Sequence, residues 1–273
     1  MKATVFLGGG RITTALIAGL RLAGYKAPII VHDRNAHKLR ALQRDYGVMM
    51  EPELGRALAQ AHLLIIAVRP DSVVGILEKA LQTASLPGKR DKAKLPVFAC
   101  SLAAGIPLVK LRAKLGPPLR WARAMPSPVC RTGRGLTAVT FERGMSAAAR
   151  REVRQFFSKV GQVLDIPESK FDAFTATYSS SHGYHALAVL AKAAQKVGLD
   201  RKTAQAAAAH ALADGIISWR EGSVSLEALL HEAATPGGIA ATVMKTTDAA
   251  GYAKAVERGL RTGIARARKN AKR

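Results

Sequence analysis

A short apolar run, Ala3-Thr4-Val5-Phe6-Leu7, ends abruptly at Gly8-Gly9-Gly10, and an alanine- and leucine-rich stretch over residues 12–23 follows at once. A strand that turns on glycines straight into a helix must carry the chain back across a sheet, so the next strand runs parallel to the first. The segment Gly8-Gly9-Gly10-Arg11-Ile12-Thr13 fits a shortened G-x-G-x-x-small pattern. Gly8 permits the tight turn, and Gly10 lets a diphosphate approach the backbone. The helix start at Arg11 and Ile12 then offers unpaired N–H groups and the positive end of its dipole. Glycine turns are common; at the head of a βαβ unit this one marks a dinucleotide site, with Gly8, Gly10, Arg11 and Ile12 as its contacts.

The alternation continues. Strands are expected over residues 28–32, 48–50, 63–68, 96–101 and 120–124, with helices over 35–44 and 53–60 and a glycine stop at Gly24. This predicts an α/β fold, with an N-terminal Rossmann doubly wound parallel sheet. Beyond about residue 165 the strand-like runs vanish and alanine-rich helical patterns take over. Residues 168–198 are expected to form one long helix, and Asp200 and Ser225 to cap the helices that follow. The chain thus divides into a dinucleotide-binding domain (residues 1–165) and an all-α dimerisation and substrate domain (residues 166–273). A helical region that size, built from small side chains, has a meagre core of its own. A homodimer is therefore expected, with higher oligomers of it left open.

The second strand ends in His32-Asp33-Arg34-Asn35. An acidic residue here accepts hydrogen bonds from the adenosine ribose and favours NADH, whereas an arginine accommodates the 2′-phosphate of NADPH. Both residue types are present, but Arg34 and Asn35, with Lys38, lie where one phosphate can be gathered. The chain's formal net charge of +23 tips the reading to NADPH over NADH. That charge, with basic runs at 89–94, 110–123 and 266–273, raises the question of nucleic acid. No recognition motif accompanies the runs and no aromatic residues interleave them, which argues against specific nucleic-acid recognition and for a solvated basic surface. No run approaches the ~20 apolar residues of a membrane span, and the N-terminus lacks the apolar core of a signal peptide. Two cysteines, Cys100 and Cys130, read as buried small hydrophobes in a reducing compartment. The expected location is the cytoplasm.

Further along stand Ala67-Val68-Arg69-Pro70, Arg123-Ala124-Met125-Pro126, then Gly133, Gly135, Leu136, Thr137 and Ala138. Glu168, Asp172, Thr175 and Ala176 follow, then Thr235-Pro236-Gly237-Gly238 and a basic C-terminal helix. In this order, and together with the glycine turn, they resemble the pyrroline-5-carboxylate reductase family, which reads Val-Lys-Pro and Arg-Ala-Met-Pro-Asn at the first two places. The resemblance spans nearly the whole chain. It implies hydride transfer from NAD(P)H to the C=N carbon of a cyclic imine, giving proline from pyrroline-5-carboxylate. It also implies a helical dimerisation domain and cofactor contacts at Ala67, Val68, Arg69 and Pro70. Thr235, Gly237 and Gly238 would clamp the substrate carboxylate, and paired glycines ahead of a helix suit an anion on physical grounds too.

The departures from the family pattern cluster at the implied substrate site. Ser127 stands where the family has the asparagine facing the nicotinamide. The family's Ser-Gly-Ser-Gly-Pro-Ala-Tyr is here Tyr178-Ser179-Ser180-Ser181-His182-Gly183-Tyr184, and Ile239-Ala240 replaces the threonine aimed at the imine nitrogen. Ala240 has no donor. Tyr178 and His182, four residues apart and expected on one helix face, are the candidate catalytic donors. His182 equally fills the space of the family's proline. His185 lacks an acidic neighbour, so no metal site is read. Three functions fit: a reductase of pyrroline-5-carboxylate with a variant site, a related NADP-dependent reductase of another imine or keto acid, and a non-catalytic NADP-binding protein.

Overall fold

The structure is a computed structural model that describes residues 3–85 and 98–272. The basic run at 89–94 and the first two residues of the strand expected over 96–101 lie outside the described residues.

Among the described residues eight strands form one sheet: β1 (Ala3–Leu7), β2 (Ile29–His32), β3 (Met49–Met50), β4 (Ala61–Ile66), β5 (Phe98–Ser101), β6 (Arg120–Met125), β7 (Gly135–Phe141) and β8 (Gly161–Asp165). Their order is β3-β2-β1-β4-β5-β6-β7-β8. The helices α1 (Arg11–Leu22), α2 (Ala36–Tyr46), α3 (Leu54–Ala59), α4 (Val73–Ser85), α5 (Leu108–Lys114) and α6 (Ala147–Ser158) connect them. Side chains alternate along each central strand, so the apolar runs feed two cores. Phe6, Ile65 and Cys100 join one, and Val5, Leu7, Leu64 and Ala99 join the other with Trp121. A strand with both faces covered has to read as a continuous apolar run, and β1 and β4 do.

The expected parallel sheet holds from β3 through β6, and one pair departs from it. β7 runs antiparallel to β6, and β8 then pairs parallel to β7. Between β6 and β7 there is only a 3-10 turn, Pro128–Thr132, with no crossover helix to reverse the direction.

The long helix expected over 168–198 is two helices. A 3-10 turn (Glu168–Lys170) leads into α7 (Phe171–Thr177), Tyr178 closes it at φ −87°, ψ 80°, and Ser179 opens α8 (Ser180–Lys196) by accepting from the Ser181 N–H. Consecutive serines compete with the helix for backbone hydrogen bonds and favour such a cap. Tyr178 and His182 therefore do not share a helix face as expected.

Two compact units divide at Tyr178, with residues Met1–Tyr178 and Gly263–Arg273 in the first and Ser179–Thr262 in the second. Three contacts explain the larger first unit. Phe171 is buried beneath the Arg123 guanidinium, 4.3 Å from ring centroid to Cζ. The Asn270 amide donates to the Ala104 carbonyl (3.2 Å), and Lys110 Nζ donates to the Ala271 carbonyl (2.8 Å). These anchor the last turns of α12 (Tyr252–Ala271), whose Ala267 backbone lies where a Cβ on Gly105 (φ +76°) would sit.

The second unit contains α8, α9 (Arg201–Glu221), α10 (Leu226–Ala233), α11 (Ile239–Ala249) and the start of α12. Asp200 caps α9 through the Lys202 and Thr203 N–H groups, and Ser225 caps α10 through that of Ala228, as the sequence reading expects. The buried residues of α8 and α9 are Ala191, Ala204 and Ala208, while Ile216, Ile217, Trp219, Leu230 and Val243 are exposed. Among the described residues no helix is long and apolar enough to cross a membrane.

Candidate active site

The glycine turn lies at the C-terminal edge of β1, where the chain's direction of travel across the sheet switches between β2 and β4. Gly8 adopts φ +109°, and a Cβ there would lie 2.7 Å from the Ala67 carbonyl oxygen and 3.2 Å from Val68 Cγ1. The residue is glycine because the turn abuts the end of β4. Gly10 begins α1 with no side-chain cap, and a Cβ built on it meets nothing within 4 Å. Open space over the turn and a first helical turn without acidic residues together fit a diphosphate. Thr13 Oγ1 donates to the Gly8 carbonyl at 2.6 Å, closing the turn from below.

At the end of β2 the Asp33 carboxylate accepts from the Gly9 N–H (2.7 Å) and the Asn35 N–H (2.8 Å). Asp33 thus ties the glycine turn to the start of α2. Asn35 caps that helix by accepting from the Lys38 N–H at 3.1 Å, and keeps its amide NH2 as a donor. Arg34, His37, Lys38 and Arg40 are exposed around a helix start with no acidic residue in its first turn. The dipole and the side chains there have the same positive sign, which suits a phosphate.

Ala67-Val68-Arg69-Pro70 leaves β4 beside Gly8. Ala67 N–H donates to the Leu7 carbonyl (2.8 Å), and Arg69 is exposed, its Nε 3.9 Å from Asp71. The neighbouring turn after β5, Ser101 to Gly105, lies on the same edge; the sequence reading did not single it out, although Gly105 was a signal.

Farther along this edge Ser127 follows β6. It is buried, and its Oγ accepts from the Val129 N–H (3.2 Å) while donating to the Tyr178 hydroxyl oxygen (3.2 Å). That oxygen also accepts from the Leu136 N–H at 2.8 Å. Arg123, buried on β6, supports the same corner. It reaches Glu168 at 3.2 Å and Asp172 at 3.7 Å, the latter an ion pair too long for a hydrogen bond. Glu168 also accepts from the Leu108 N–H at 2.6 Å.

Within the second unit, Gly237 (φ +75°) and Gly238 precede α11, with Gly238 N–H donating to the Thr235 carbonyl at 2.9 Å. Gly238 has no side chain to cap α11, so the first N–H groups of that helix have no side-chain acceptor there. Ile239 is 87% exposed. His182 lies in the first turns of α8, its N–H donating to the Ser179 carbonyl. The structure therefore gathers the proposed cofactor residues and Tyr178 on one sheet edge, with His182 and Thr235 to Gly238 in the other unit.

Cys100 and Cys130 are free and buried. Burial pushes the Cys130 thiol up to about 12 and the Cys100 thiol higher still, so neither offers a thiolate nucleophile. Among the described residues no cluster of His, Cys, Asp and Glu has the makings of a metal site.

Fold and site together define a Rossmann-type dinucleotide-binding protein joined to a helical unit. Residues 168–270 match the family model for pyrroline-5-carboxylate reductase dimerisation, and residues 4–89 match that for NADP oxidoreductase, coenzyme F420-dependent. The chain is 32% identical to a pyrroline-5-carboxylate reductase of Mycobacterium leprae over 216 residues, covering 78% of this chain and 72% of that one. It belongs to the pyrroline-5-carboxylate reductase family. A Mycobacterium tuberculosis relative of the same name is 28% identical over 97% of this chain and 96% of its own. Among solved structures, the Coxiella burnetii pyrroline-5-carboxylate reductase superposes with a TM-score of 0.84 at 21% identity, covering 98% of each chain. The Plasmodium falciparum pyrroline carboxylate reductase with NADP bound gives 0.83 at 17%, covering 99% of this chain and 98% of that one.

Proposed function

We propose that the chain is an NADPH-dependent reductase of a cyclic imine, converting pyrroline-5-carboxylate to proline as its relatives' name describes. The observation that carries the reading is the glycine turn, open above Gly10 and locked by Asp33, within a chain of this family. The reduced dinucleotide, when bound, supplies the hydride. The N–H groups of Gly10, Arg11 and Ile12 hold the diphosphate, with Gly8 keeping the turn close to β4. Arg34 and Asn35, with Lys38, hold the 2′-phosphate, and residues Ala67, Val68, Arg69 and Pro70 line the path toward the nicotinamide. Thr235, Gly237 and Gly238 clamp the substrate carboxylate. Tyr178 is the donor to the imine nitrogen, with His182 as the alternative.

Ala240 favours one second reading, a reductase of a keto acid. A protonated His182 would suit an oxygen becoming an alkoxide and would repel an iminium. In either case we assign the chain to the cytoplasm as a homodimer joined through its helical unit, with no specific nucleic-acid partner.

Calorimetric titration with each cofactor tests the cofactor half of the reading. NADPH binds more tightly than NADH, and Arg34→Ala removes at least about tenfold of the NADPH affinity, since hydrogen bonds to charged groups contribute roughly 1.5–3 kcal/mol. NADH affinity stays as it was. Equal affinity for the two cofactors in the unmodified protein contradicts the assignment of Arg34.

A further inference from the structure

Ser127 and Tyr178 are both departures from the family pattern, they lie 51 residues apart in sequence, and their hydroxyls are 3.2 Å apart. A small residue stands where the family has asparagine, facing a large one where the family has serine. From this geometry we infer that the two substitutions are a matched pair, in which Ser127 is a positioning residue that makes Tyr178 a one-way hydrogen-bond donor. The inference rests on the reductase reading above.

A phenol hydroxyl has two acceptor sites and one proton to give. Both acceptor sites are taken here, one by the Leu136 N–H at 2.8 Å and one by Ser127 Oγ–H. Ser127 Oγ is held by the Val129 N–H, from which it accepts at 3.2 Å, and gives its own proton to the Tyr178 oxygen. The remaining capacity of the Tyr178 hydroxyl is donation. Tyr178 is half-buried while Ser127 is buried, so the pair presents the phenol from a fixed support. The support lies at the end of β6, on the sheet edge outside which ligands of doubly wound sheets bind.

Ala240 has no donor, and a phenol held in this way has one proton to give. A bound reduced dinucleotide would supply hydride to the C=N carbon, and the electron pair displaced from the C=N bond to nitrogen would then need a proton. The nitrogen takes the Tyr178 proton, and the phenolate then recovers a proton from solvent. Through that step the Leu136 N–H and Ser127 Oγ–H face an oxygen that carries negative charge, and preorganised donors of this kind lower a barrier without reorganising. Leu136 N–H is backbone and constant. Ser127 Oγ is the part of the device that the sequence can change.

The test is a double-mutant cycle on turnover of a cyclic imine carboxylate with NADPH, comparing Ser127→Ala, Tyr178→Phe and the double variant, with thermal melting recorded for each. Tyr178→Phe and Ser127→Ala each lower kcat by about tenfold or more, leave KM for NADPH unchanged, and combine to no more than the loss from Tyr178→Phe alone. Ser127→Thr, which keeps the hydroxyl, restores most of the rate. If Ser127→Ala does not fold, Ser127→Cys keeps the volume, weakens the donor and is held to the same non-additivity. Losses that multiply, or full turnover without the Ser127 hydroxyl, overturn the pairing while leaving the reductase reading intact. A complete absence of imine turnover by the unmodified protein overturns the reductase reading, and the pairing with it.

Discussion

Gly8→Ala should destroy NADPH binding, with an affinity loss of at least about a hundredfold, and should lower thermal stability by about 2–4 kcal/mol. Gly8 sits at φ +109°, a conformation that side chains rarely adopt, and that strain alone costs of order 1–3 kcal/mol. A Cβ would also lie 2.7 Å from the Ala67 carbonyl oxygen, and this oxygen belongs to backbone emerging from a buried strand. The turn must therefore move, and the N–H groups of the first turn of α1 move off the diphosphate with it. Gly10→Ala is the informative contrast. Its φ of −82° suits any residue, and its Cβ meets nothing within 4 Å, so stability should be unchanged. NADPH affinity should still fall, because the new methyl enters the space through which the diphosphate approaches. Melting curves and NADPH titrations on both variants check this. Wild-type affinity in Gly8→Ala would refute the proposed role of the turn.

Replacing Ile217 and Trp219 together by aspartate should convert a dimer into monomers, raising the dissociation constant by at least about a thousandfold. Both side chains are exposed on α9, Ile217 at 49% and Trp219 at 42%. The residues buried in α8 and α9 are alanines, which bury too little apolar surface to stabilise a helical unit of this length alone. Each large apolar side chain covered by a second copy contributes about 1.5–3 kcal/mol, and two-fold symmetry doubles every contact. Sedimentation velocity at micromolar concentration reads the outcome. A folded wild-type monomer, or a double variant that stays dimeric, contradicts assembly through this unit.

The parts of the fold legible in the sequence were those written locally. β1, the glycine turn and α1 follow from an apolar run, three glycines and a helical period, and the caps at Asp200 and Ser225 from single residues. β7 and β8 were not read, since their direction and pairing depend on a return without a crossover helix and on partners distant in sequence. The break at Ser179 was hidden because a run of serines reads as well inside a helical pattern as at a cap. The contacts that hold α7 and the end of α12 to the first unit, Phe171 under Arg123 and Asn270 on Ala104, join residues distant in sequence and have no local signature. At the site, the acidic and basic residues after β2 left the choice between ribose and phosphate to the charge argument, and the contacts of the Asp33 carboxylate with the Gly9 and Asn35 N–H groups had no signature in the sequence. The contact of Ser127 with Tyr178 had no local signature; each was visible only as a departure from the family pattern.

The most direct test of the central claim is NADPH oxidation by the unmodified protein, followed by absorbance over a series of cyclic imine carboxylates and 2-keto acids. Oxidation dependent on pyrroline-5-carboxylate is expected, with proline formed in equal amount to the NADPH consumed. Tight NADPH binding without oxidation by any cyclic imine would contradict it.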